Sequence, residues 1–164
     1  MAELTTMEEK LAEVLGLAQA AQGATEKVEG LLEDDGNGLA GKLQQMREEA
    51  EETEKRCTEI ADNRDGKKTA ILDKAQETKT EATEMMQTYL GSDSDDLDGF
   101  EFLTMAEAGE VGHWAILGKL NEKAGEDELR ELVEWALPIQ ERHFNDVREG
   151  SLELAADEDP YGES

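Results

Sequence analysis

The chain has 164 residues, of which 42 are Asp or Glu and 16 are Lys or Arg, so its formal net charge is −26. Leu, Ile, Val and Phe together fill 31 positions, close to the limit of about 20% below which highly charged chains stay disordered. Because such a surface repels phosphate, a nucleic-acid partner and an anionic membrane are disfavoured. No apolar run approaches the ~20 residues of a membrane-spanning helix.

The acidic residues are spread along the whole chain, with 21 in residues 1–91 and 21 in residues 92–164. In this distribution and in its low number of lysines, 10, the chain resembles the proteins of salt-accumulating haloarchaea, in which molar salt screens the repulsion among acidic residues. We therefore expect a halophilic protein, and the alternative is an ordinary acidic helical protein. The N-terminal stretch MAELTTMEEK lacks the apolar segment of a secretory signal, and the single Cys57 excludes an internal disulfide, so we expect a cytoplasmic location.

Apolar residues recur at alternating intervals of three and four positions in five segments, which predicts five helices. The predicted helices cover about residues 3–33, 39–62, 67–90, 99–124 and 127–156. No period-two run survives, so strands are not expected. The fold class is therefore predicted to be all-α, an antiparallel helical bundle in a single domain of residues 1–156, followed by a frayed acidic tail at 157–164.

Turn residues separate the first three predicted helices. The stretch 34–38 ends the first helix and the stretch 63–66 ends the second. Because short turns join antiparallel neighbours, the second and third helices are expected to form a hairpin.

Three glycines recur every seven residues in the first helix, at Gly16, Gly23 and Gly30. Each glycine destabilises a helix interior by about 1 kcal/mol relative to alanine, so a line of them suggests that another helix approaches closely. That helix could belong to a second subunit, and we therefore expect a homo-oligomer, a dimer in the simplest case. The alternative is that these positions are tolerated weak points of the helix.

The acidic stretch 91–99 is the predicted linker between the first three helices and the last two. Asp98 is expected to cap the fourth helix, and Gly125 to end it. Pro138 lies inside the fifth helix, where it removes a backbone hydrogen bond and predicts a kink near residues 134–138.

The chain has two histidines, and both lie on or beside a predicted core stripe. Glu110 and His113 are three residues apart, so both fall on one helix face, which the apolar spacing turns inward. A carboxylate at such a position needs an ion partner or a metal. Four-helix bundles build di-iron sites from Glu-x-x-His pairs and further glutamates. A buried Glu–His pair without a metal is the alternative interpretation.

The segments Glu107-x-x-Glu110-x-x-His113-Trp114 and Pro138–Phe144 resemble the paired metal-ligand helices of small ferritin-like proteins. The stretches 24–28 and 51–54 are similar to the first two helices of the bacterial stress-response branch of this superfamily, the YciE/YciF-type proteins. The resemblance implies an antiparallel ferritin-like bundle that binds iron or manganese at its centre and often dimerises.

By this resemblance the metal ligands come from four helices. Glu26 matches the first-helix carboxylate, Glu54 a second-helix carboxylate, and Glu107, Glu110 and His113 belong to the fourth-helix motif. Glu141 and His143 complete the set. The second helix has no histidine, since Cys57 stands three residues after Glu54, and the number of metal ions therefore stays open.

The sequence thus predicts a ferritin-like protein that binds iron or manganese, with a role in iron sequestration or in an oxygen- or peroxide-linked stress response. Any enzyme activity would at most be that of a di-metal oxidase. The alternative function is a metal-free helical bundle that acts as a dimerisation or protein-interaction module.

Overall fold

The structure is a computed structural model that describes residues 2–33 and 37–163. It contains five α-helices: α1 (Thr6–Glu29), α2 (Leu39–Asp62), α3 (Lys68–Tyr89), α4 (Asp96–Ala124) and α5 (Asp127–Ala156). No strand occurs in these two described ranges. The prediction of an all-α chain with five helices is therefore confirmed. Residues 34–36 of the predicted first turn lie outside the described residues.

Four of the helices surround the core, because α1 packs against α2 and α4, and α5 packs against the same two helices. Between α4 and α5, Thr104 contacts Ser151 and Gly118 lies beside Val133. Residue numbers thus rise along α4 as they fall along α5, so these two helices run in opposite directions. The pairs Arg47–Glu29 and Gln22–Glu54 give the same relation between α1 and α2.

The third helix lies outside this group of four and packs mainly along α1. Glu8 of α1 contacts Lys67 at the start of α3, and Gly16 lies against the turn of α3 that contains Ala75 and Thr78. The two helices therefore run in the same direction. Since α1 and α2 are antiparallel, α3 runs antiparallel to α2 and contacts it, as the predicted hairpin requires. Its main partner is nevertheless α1, because the small Gly16 lets the backbone of α3 approach closely.

The core consists of two apolar clusters that lie at different heights along the helices. One includes Leu11, Ile60, Trp114, Leu117 and Leu129, and the other includes Val28, Leu43, Phe100, Leu103 and Val147. On α4 the first cluster starts at Trp114 and the second ends at Leu103. Between these two positions the buried residues of α4 are polar, namely Glu107 and Glu110.

The ends of α4 follow the local chemistry of the chain. Asp95, not Asp98, is the N-cap. Its side chain accepts a hydrogen bond from the Asp98 N–H, while the Asp98 side chain accepts a hydrogen bond from the Asp95 N–H. This reciprocal pair starts the helix three residues earlier than predicted, since each carboxylate satisfies one free N–H group. Gly125 ends α4 with a φ of 68°, which confirms the predicted C-cap.

The fifth helix continues from Asp127 to Ala156 with Pro138 inside it. Arg56 of α2 lies over the ring of Trp135, one turn before the proline, with 4.0 Å between the guanidinium carbon and the ring centre. None of the helices in the described residues combines the length and apolar character of a membrane span.

Candidate functional site

The register of α4 decides which of its polar side chains enter the core. Its buried positions include Leu103, Glu107, Glu110, Trp114 and Leu117, again at alternating intervals of four and three. This stripe differs from the predicted one, which placed His113 inward. The prediction for His113 is wrong because the large indole of Trp114 takes the core position, where it buries far more apolar area.

The register of α5 brings the other histidine inward. The buried positions after Ala136 are Gln140, His143, Val147 and Gly150. His143 is 4% exposed and lies beside the buried Glu107 of α4. The structure therefore places His143 in the core and His113 at the edge of the core, whereas His113 was predicted to point inward.

Five side chains from three helices form what we call the central polar cluster: Glu49, Glu107, Glu110, Gln140 and His143. The Gln140 amide donates a hydrogen bond to Glu107. His143 lies between two carboxylates, with Nε2 at 3.0 Å from Glu49 Oε1 and Nδ1 at 3.9 Å from Glu107 Oε2. Arg142 contacts the other oxygen of Glu49.

Burial controls the protonation of the two α4 carboxyls. It raises the pKa of Glu107, while the nearby His143 and the hydrogen bonds from Glu110 and Gln140 act in the opposite direction. Burial also raises the pKa of Glu110, well above its ordinary value, and here the charge of Glu107 adds to the effect. Both shifts favour the protonated forms of the two carboxyls, and a hydrogen bond joins Glu110 to Glu107.

The cluster contains three of the seven predicted metal ligands, Glu107, Glu110 and His143. Glu26 and Glu141 are exposed on α1 and α5. Glu54 lies half-buried between α2 and α1, where its two oxygens accept hydrogen bonds from the side-chain amides of Gln19 and Gln22. The fourth residue outside the cluster is His113.

The side chain of His113 is 38% exposed, and its partners lie on α4 and α1. Its Nδ1 lies 2.8 Å from the Gly109 carbonyl oxygen, and its Nε2 lies 3.6 Å from Glu13 Oε2 on α1. The predicted Glu110–His113 pair therefore does not form.

Glu49 is the member of the cluster that the sequence did not reveal. It stands in the run Arg47-Glu48-Glu49-Ala50-Glu51-Glu52, where four glutamates share the neighbourhood of one core alanine. Its contact with His143 depends on how α2 packs against α5, and the sequence carries no signal for that register.

The donor types of the cluster suit iron or manganese, since these ions accept carboxylate and imidazole ligands. The placement is less favourable. In the described part of the chain no three His, Cys, Asp or Glu side chains stand together in a way that could hold a metal ion. Glu107 accepts a hydrogen bond from Gln140 and His143 is hydrogen-bonded to Glu49, so the polar groups of the cluster satisfy one another.

Comparison with known proteins finds no family model that matches this chain, and no curated protein sequence matches it.

Proposed function

We propose that the protein is a ferritin-like bundle that binds a divalent iron or manganese ion through the central polar cluster, with Glu49, Glu107, Glu110 and His143 as ligands. One observation carries the proposal: two carboxyls of α4 and one imidazole of α5 are buried between two apolar clusters, and the half-buried Glu49 of α2 lies 3.0 Å from that imidazole. Burying so many ionisable groups is unfavourable unless they serve as partners or ligands.

The residues of the cluster have distinct parts in this proposal. A ligand carboxyl must be ionised and a ligand imidazole must offer a lone pair, so Glu110 would release its proton and His143 would exchange its contact with Glu49. Gln140 would orient Glu107 through the hydrogen bond it already donates. Iron bound at this cluster would either be stored there or supply the redox chemistry of a response to oxygen or peroxide.

The proposal is tested by titrating the metal-free protein with Fe(II) under nitrogen, and with Mn(II), in molar KCl. We expect about one ion per chain in the wild type, measured by elemental analysis after desalting. The substitutions Glu107→Gln and His143→Gln each remove one ligand and should lower the affinity by about 10- to 100-fold.

His113→Gln is the matched control, because it removes the other imidazole of the chain, which lies outside the cluster. It should bind metal like the wild type. Sub-stoichiometric metal in the wild type, or equal binding by the wild type and His143→Gln, would contradict the proposal.

The second candidate function is a metal-free interaction module that dimerises. It is favoured by the self-satisfied cluster: within the described residues, none of its buried nitrogen or oxygen atoms lacks a hydrogen-bond partner. Sedimentation equilibrium in molar KCl tests this candidate, and a molar mass that stays at one chain across the concentration range would contradict it.

We further propose that the protein works in the cytoplasm of a salt-accumulating cell. The salt dependence of its stability tests the adaptation to salt.

A further inference from the structure

An apolar groove lies between α1, α3 and α4, with a cavity volume of about 270 Å³. Small residues of α1 form one wall, and three methionines and an aromatic ring belong to the remaining lining; these residues include Ala20, Gly23, Met85, Met86, Phe102 and Met105. Met85 and Met105 are 64% and 50% exposed. Two long apolar side chains therefore face water at the groove on a chain that is otherwise strongly acidic.

The groove reaches the central polar cluster, because Glu107 and Glu110 are among its lining residues. Both side chains are more than nine-tenths buried. A cavity with apolar walls and a few convergent polar groups has the character of a small-molecule site. The polar residues of the lining are Glu107, Glu110, Thr83 and His113. The two carboxyls lie side by side, so the groove offers adjacent hydrogen-bond acceptors to a ligand.

We propose that this groove binds a small aliphatic ammonium ion, with its alkyl chain against Met85 and Met105 and its ammonium group at the Glu107–Glu110 pair. Charge complementarity selects this class of ligand. A fatty acid of the same length would bring its carboxylate against two carboxyls, and the net charge of −26 repels anions in general. The inference goes beyond metal binding and does not depend on it.

The test uses metal-free protein in EDTA and 1 M KCl, where the Debye length of about 3 Å suppresses long-range attraction. Isothermal titration calorimetry compares butyl-, hexyl- and octylammonium with octanoate. We expect the affinity to rise about fourfold for each methylene that enters the groove. Octylammonium should bind at least ten times more tightly than octanoate.

Two substitutions locate the site. A Cβ at Gly23 would meet nothing within 4 Å and Gly23 lines the groove, so Gly23→Leu should fill the groove and abolish binding. Gly41→Leu is the matched control, since it adds the same side chain in open space on α2 and should bind normally. Glu107→Gln replaces one carboxyl of the Glu107–Glu110 pair with a neutral amide, so it should weaken octylammonium binding at least tenfold and leave the binding of octanol unchanged.

Three outcomes would overturn the proposal: no binding by the wild type, equal binding by the wild type and Gly23→Leu, or equal affinity for octylammonium and octanoate. A wild type that sediments as a dimer, together with a monomeric Gly23→Leu variant, would also overturn it, because a second copy of the chain would then occupy the groove. Since all measurements use metal-free protein, a failure of the metal proposal would leave these results unchanged.

Discussion

Glu8 joins the start of α1 to the turn between α2 and α3. Its carboxylate accepts a hydrogen bond from the Thr5 N–H at 2.8 Å and contacts Lys67 Nζ at 3.2 Å. Arg64 lies 3.9 Å from the same carboxylate and also contacts Glu126, beside the turn between α4 and α5. One buried acid thus holds three connections at this end of the molecule.

Glu8→Gln should lower the free energy of unfolding by about 2 kcal/mol at pH 7, because it removes hydrogen bonds made to a charged group. Burial alone would raise the pKa of Glu8, but the Thr5 N–H and Lys67 outweigh it and leave the pKa lowered. A lowered pKa adds stability above the unfolded-state value of 4.5, and that stability is lost as the pH falls through the folded-state value. Urea titrations at pH 7 and pH 3 measure both effects.

The control for this prediction is Glu9→Gln, in the same first turn. Glu9 is exposed, so it contributes only the favourable interaction of a negative charge with the helix N-terminus, at most about 1 kcal/mol. An equal loss of stability in the two variants, or a Glu8→Gln effect that persists undiminished at pH 3, would contradict the role given to Glu8.

At the scale of the helices, the close approach of α3 to α1 depends on one glycine. A Cβ at Gly16 would meet the carbonyl oxygen of Ala75 and lie 2.8 Å from the Cβ of Thr78. The line of three glycines is therefore explained in part within one chain: Gly16 admits α3, Gly23 lines the groove and Gly30 is the C-cap of α1. Its use as an argument for a second subunit is correspondingly weaker.

Gly16→Ala should lower the free energy of unfolding by about 2 kcal/mol, because the added methyl group pushes α3 away from α1. The melting temperature should fall by about 4–8 °C, measured by circular dichroism. Gly41→Ala places the same methyl group in open space on α2 and should instead raise the stability by roughly 0.5–1 kcal/mol. A stabilising Gly16→Ala substitution would show that α3 does not pack where the structure places it.

The spacing of apolar residues predicted the five helices, but it did not fix their registers or partners. In α4 the stripe through Leu103, Ala106, Glu110 and His113 and the stripe through Leu103, Glu107, Glu110 and Trp114 both follow helical spacing. They share Glu110, which was correctly expected inside. The first stripe turns His113 inward, and the second turns Glu107 and Trp114 inward. The packing of the Trp114 indole in the core selects the second stripe, and that packing depends on residues distant in sequence.

At the scale of the whole molecule, the two core clusters must offset the mutual repulsion of a net charge of −26. Several ion pairs of the described residues connect different helices, such as Arg47–Glu29 and Arg142–Glu49, but the 16 basic residues are too few to neutralise 42 acids. Repulsion among exposed carboxylates therefore destabilises the compact state unless salt screens it.

We expect the stability to rise steeply with salt, because the Debye length falls from about 10 Å in 0.1 M KCl to about 3 Å in 1 M KCl. A gain of about 2 kcal/mol would raise the melting temperature by about 4–8 °C in a circular-dichroism series. A control variant should show a smaller gain because it lacks five exposed acids, through the substitutions Glu51→Gln, Glu59→Gln, Glu84→Gln, Glu101→Gln and Glu149→Gln. Full helicity with an unchanged melting temperature in 0.1 M KCl would contradict adaptation to high salt. Equal gains in the wild type and the control would instead assign the effect to salt acting on the apolar core.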